Sequence, residues 1–77
     1  MLKEFVEYLV KNLVDNPEEV KVTEVTGEHA NVYEVRVGKG DMGKVIGKRG
    51  QNARSIRTLL NAVAAKDGKR AVMEILE

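Results

Sequence analysis

Five of the seven glycines lie between positions 38 and 50, interleaved with lysine and arginine. Glycine permits backbone conformations and close approaches that a side chain forbids, and neighbouring cations suit an anionic ligand. Three phosphate-binding patterns compete for these residues. Gly38-x-Gly40-x-x-Gly43 has the spacing of a turn that seats a dinucleotide pyrophosphate at a helix start. That chemistry also wants an acid about 20 residues on, at the end of a second strand, where this chain has Leu59-Leu60 in a helical pattern. Gly38-x-x-x-x-Gly43-Lys44 approaches a P-loop, but Val45 stands where Ser or Thr must offer a hydroxyl to magnesium.

Gly47-Lys48-Arg49-Gly50 fits a nucleic-acid backbone better. The glycines clear space for the phosphate chain. Lys48 and Arg49 supply two mobile cations at the tip, and a helix starting at Gln51 offers free backbone N–H groups and a partial positive charge. Ile46 and Ile56 flank the loop and are expected to wall an apolar groove for unpaired bases. Lys44, Arg54 and Arg57 add cations nearby. A tight turn between two helices, carrying two solvated cations, is the plain structural alternative.

These residues need elements to hold them. Leu2, Phe5, Val6, Leu9, Val10, Leu13 and Val14 recur at helical spacing and predict an amphipathic helix over 2–14. Asp15-Asn16-Pro17 ends it, because proline disfavours helix in the residue before it. Val- and Thr-rich residues 19–26 and the alternating segment 31–37 predict two strands, joined as an antiparallel hairpin by Gly27-Glu28-His29-Ala30. Asp41 is placed to cap a short helix bearing Met42, Val45 and Ile46. A longer helix follows Gly50, with Ala53, Ile56, Leu59, Leu60 and Val63 as its expected buried stripe. Asp67-Gly68 turns the chain, and Ala71, Met73 and Ile75 alternate in a last strand. The predicted class is α+β, in the order helix, strand, strand, short helix, helix, strand.

At this point a family resemblance emerges. VIGKRGQNARSIRTLL resembles the VIGxxGxxIxxI core of KH domains, RNA-binding modules that clamp about four backbone nucleotides on a GXXG loop. The helix-strand extension before the core resembles the type II, bacterial form. The opening LKEFVEYLVKNLVDNPEEV carries the likeness to the small bacterial single-KH proteins over essentially the full length. The resemblance implies one KH domain over residues 1–77, with an N-terminal extension over 1–30 and the core over 31–77. It implies a three-stranded mixed sheet against three helices, with Gly47, Lys48, Arg49 and Gly50 touching single-stranded RNA. It further implies a role as RNA chaperone or post-transcriptional regulator. As an alternative it implies an interaction module, pairing with itself or with a larger KH-containing partner of the KhpB or Jag type. Ala53 stands where KH domains often place Ile, which implies a wider or shallower groove there.

Composition narrows the field further. Across 77 residues the formal net charge is only +1. Residues 1–37 carry net −4 and residues 38–77 net +5, and Met42 to Lys66 holds six basic residues and no acid. This division suggests an anionic partner on one side. A chain so short buries only about 60% of its unfolded surface, leaving little room for an enclosed catalytic pocket. With no Cys and a single His, His29, in a turn, neither a structural zinc site nor thiolate chemistry is expected. No nucleophile–base pair and no paired carboxylates flank the glycine loop, so no enzyme activity, cofactor or small-molecule substrate is expected. The N-terminus holds acids and no unbroken apolar stretch, unlike a signal peptide, and no run approaches the roughly 20 residues that span a bilayer. A cytoplasmic protein without membrane partners is expected. The three aromatics, Phe5, Tyr8 and Tyr33, do not form a stacking platform, so electrostatics and groove shape should dominate binding.

Overall fold

The computed structural model describes residues 2–77, ordered as helix α1 (Leu2–Lys11), strands β1 (Lys21–Thr26) and β2 (Ala30–Arg36), helices α2 (Met42–Ile46) and α3 (Gln51–Ala65), and strand β3 (Arg70–Leu76). The element order and the α+β class agree with the sequence reading. β2 is the central strand, antiparallel to β1 and parallel to β3. The parallel pairing requires a crossover, and α2 and α3 provide it.

The strand period of two sorts the side chains. Val22, Tyr33, Val35, Ala71 and Met73 share the helix-facing side and are buried, whereas Thr23, Val25, Arg36, Val72 and Glu74 lie on the open side and are exposed. Helices cover one face only. Val6 and Val10, one turn apart on α1, are fully buried, and α1 packs on β1 and α3. α3 adds Ala53, Ile56, Leu60 and Ala64 from the same layer. Tyr33 is wholly buried, and its hydroxyl donates to Glu24 Oε2 across the β1–β2 pair at 2.7 Å. Burial first, then the bond to Glu24 and its charge, push the Tyr33 pKa up to about 12.

Four expectations are corrected. α1 stops at Lys11, three residues short of the predicted end; Asn12 and Leu13 form a turn, with Leu13 N–H donating to Val10 C=O at 2.9 Å. β1 begins at Lys21, not Glu19, because Pro17–Glu19 form a 3₁₀ turn. Leu59 and Val63 are 49% and 42% exposed, and Ala64 takes a buried place in their stead. A helix against one face of a small sheet buries a narrower stripe than its apolar residues would fill. Asp41 takes the N-cap position of α2, and its C=O accepts from Lys44 and Val45 N–H, but its side chain makes no capping bond. Its side chain turns away to the loop after α1. Among the described residues, no helix is long and apolar enough to cross a membrane.

Candidate nucleic-acid interface

The loop between α2 and α3 is built on glycine conformations. Gly47 has φ 78° and ψ 173°, a region essentially closed to other residues. A Cβ there would also lie 2.6 Å from Cγ of Asn52, whose side-chain amide donates to Lys44 C=O at 3.0 Å. Lys48–Gly50 make a single 3₁₀ turn, closed by Gly50 N–H donating to Gly47 C=O at 3.0 Å. Arg49 is left-handed at φ 58° and ψ 27°, the one non-glycine residue with positive φ among those described. Strain of this kind concentrates at binding sites.

Gly50 then opens α3 at φ 73°, with no side chain capping the helix and no acid in its first turn. A 15-residue helix thus starts at the loop with its positive end uncompensated. Lys48 and Arg49 are exposed and, among the described residues, their side chains have no hydrogen-bond or ion-pair partner. Gln51 is exposed beside them.

The remaining predicted cations are sorted differently from one another. Arg54 Nη2 donates to Arg49 C=O at 3.1 Å and braces the strained loop. Lys44 pairs with Asp15 at 3.1 Å, on the side facing the α1–β1 connection. Arg57 Nη2 donates to Met73 C=O at 3.4 Å, on the sheet edge. A groove beside the loop is lined by Met42, Ile46, Gly50, Ala53, Arg54, Arg57 and Ile75. Ile46 is where the sequence reading put it. Ile56 is not: it is 5% exposed and faces a second groove, with Leu9, Leu13 and Leu59. At 3.6 residues per turn, Arg57 lies four residues and about 40° past Ala53, so the two share the groove side of α3, whereas Ile56 is turned by about 60° the other way, toward α1. Ala53 and Ile75 replace Ile56 as groove walls.

Two side chains that support this site escape sequence reasoning. Asp41 is 2% exposed and accepts from Asn16 N–H at 3.0 Å, Asn16 Nδ2 at 3.2 Å and Asp15 N–H at 3.3 Å. Burial alone would raise its pKa; the bonds from Asn16 and Asp15, with the charge of Lys44, outweigh it and hold the carboxyl below its ordinary 3.8. This clamp fixes the start of α2 to the connection after α1. Asn61 is the second. Arg70 N–H donates to His29 C=O and Val37 N–H to Leu76 C=O, so the even residues of β3 face β2 and the odd ones face outward along the free edge. Asn61 closes that edge at Ala71, donating to its C=O and accepting from its N–H, each at 3.0 Å.

A family model described as the KH domain of KhpA/KhpB matches residues 3–75. The chain belongs to the KhpA/KhpB KH-domain family. It is 51% identical over 76 residues to a Chlamydia pneumoniae protein named RNA-binding protein KhpA, covering 99% of this chain and 97% of that one. The protein of that name from Aquifex aeolicus is 54% identical over 76 residues, covering 99% and 96%. That from Clostridium acetobutylicum is 51% identical over 75 residues, covering 97% and 100%. The family match over residues 3–75 takes in the α1–β1 extension as well as the core from β2 onward.

Proposed function

We propose that this chain binds single-stranded RNA, holding about four nucleotides against the GKRG loop and acting as an RNA chaperone or post-transcriptional regulator. The observation that carries the reading is the loop itself. Two positive-φ glycines bracket two unpartnered cations at the open N-terminus of α3. An extended phosphate chain is what such a surface accommodates: it needs close approach, N–H donors and positive charge together. The relatives' names support RNA as the polymer. Bases entering the groove beside the loop would meet Met42, Ile46, Ala53 and Ile75. No aromatic residue lines that groove, so shape and electrostatics carry the affinity.

Lys44 is held by Asp15 and Arg57 by the sheet edge, which leaves Lys48, Arg49 and Arg54 nearest the phosphate path. Two or three such contacts predict a log–log salt slope of about −1.4 to −2.1, at roughly −0.7 per contact on a single strand. Anisotropy of a labelled oligouridine across a salt series reads this slope. A value near zero would contradict backbone binding. So few contacts also imply micromolar or weaker affinity, and a second module would raise it by linkage.

A second reading is favoured by one observation. Leu59 and Val63 are apolar and substantially exposed on α3, and Tyr8 is exposed on α1. They suit pairing with a second copy or with a larger KH-containing protein of the KhpB or Jag type, with RNA contact secondary.

A further inference from the structure

The cations near the loop divide by what their guanidinium or ammonium groups touch. Arg54 reaches back to the loop carbonyl of Arg49. Arg57, three residues further along α3, reaches across to the C=O of Met73 on β3. Both line the groove, whose other walls are Met42, Ile46, Ala53 and Ile75. A guanidinium carries five N–H donors in a planar fork and no acceptor. The bond to Met73, itself part-buried, engages one of them and anchors the group at the sheet side of the groove. The loop's Gly50 lines the same groove, so a strand held at the GKRG loop would bring a base into the groove beside Arg57, whose guanidinium is anchored on the β3 side.

We propose that Arg57 is a specificity-determining residue that favours a base presenting two adjacent hydrogen-bond acceptors. This rests on the RNA-binding reading above. Unpaired guanine offers O6 and N7 on one edge, and unpaired cytosine offers O2 and N3. Adenine sets its amino donor beside each ring acceptor on those edges, and uracil sets an N–H between its two carbonyls. A donor-only fork pairs fully with the first two and leaves N–H groups facing donors with the others, in a groove whose apolar walls make an unmet donor costly. Ala53 makes this reading sterically open, since a small residue at the groove floor leaves room between the fork and Ile46.

The test uses the full chain and labelled uridine octamers, one unmodified and three carrying a single central guanosine, cytidine or adenosine, measured by anisotropy across a salt series. The wild type is expected to bind the guanosine or the cytidine octamer about tenfold more tightly than the uridine and adenosine ones, as a good bidentate contact discriminates. Arg57→Lys keeps the charge and loses the fork; it is expected to bring that ratio close to one while the salt slope stays as in the wild type. Circular dichroism checks the fold of each variant. No preference in the wild type, or an undiminished preference in Arg57→Lys, would overturn the proposal. So would an Arg57→Ala variant that weakens all four octamers equally and flattens the slope by about 0.7, the mark of a phosphate contact. A wild type that binds none of the octamers would overturn the RNA-binding reading itself, and this proposal with it.

Discussion

A carboxylate with 2% of its surface exposed is tolerable only when hydrogen bonds replace the water it has lost, and Asp41 receives three. Because its pKa is lowered on folding, the stability it contributes is complete above its ordinary 3.8 and is lost as pH falls below that value through the folded one. Asp41→Asn is expected to lower the melting temperature at pH 7 and to flatten the fall in stability as pH drops below 3.8; thermal melts at pH 7 and through the acid range measure both. An unchanged acid limb would show that the clamp is energetically idle. The sequence points to a different job for this residue. Asp before an apolar run signals an N-cap, and no local pattern announces a partner 25 or 26 residues upstream. Asn61 was illegible for the same reason: its partners on Ala71 belong to a strand that only the tertiary fold brings alongside. Gly47 and Gly50 were legible, because their role is local and their residue type is the signal.

At the scale of elements, α3 shows how far periodicity reaches. Ala53, Ile56 and Leu60 are buried as the spacing predicts, and Leu59 and Val63 are not. The pattern of apolar residues says what a helix can bury; how much it does bury depends on the width of the sheet beneath it. The limits of α1 and β1 are set by local turns that periodicity does not register: Leu13 N–H turns back to Val10 C=O after α1, and Glu19 belongs to the 3₁₀ turn at Pro17–Glu19 before β1. The exposed pair on α3 leads to a direct expectation. If it is a pairing face, sedimentation of the wild-type chain will show a dimer that Leu59→Ser with Val63→Ser returns to monomer, with helical content intact. A dimer unaffected by RNA would favour the interaction reading, whereas a monomer at all concentrations would remove this face from consideration.

For the whole molecule, the +1 net charge conceals a division that the fold preserves. The acidic half supplies α1 and the β1–β2 hairpin, and the basic half supplies α2, the loop, α3 and β3. The division is not complete, because Asp15 reaches Lys44 and ties one basic side chain to the acidic half. The positive field is thereby concentrated at the loop, on residues with no partner of their own. The central claim is that Lys48 and Arg49 form the RNA-binding tip. Its most direct test is the double variant Lys48→Asp, Arg49→Asp, measured for binding of single-stranded RNA by anisotropy, with circular dichroism confirming the fold. These exposed side chains make no contact that folding needs, so the variant should fold and should lose RNA binding by at least about a hundredfold at low salt, from two removed attractions and two added repulsions. A folded variant that binds RNA as tightly as the wild type would contradict the account.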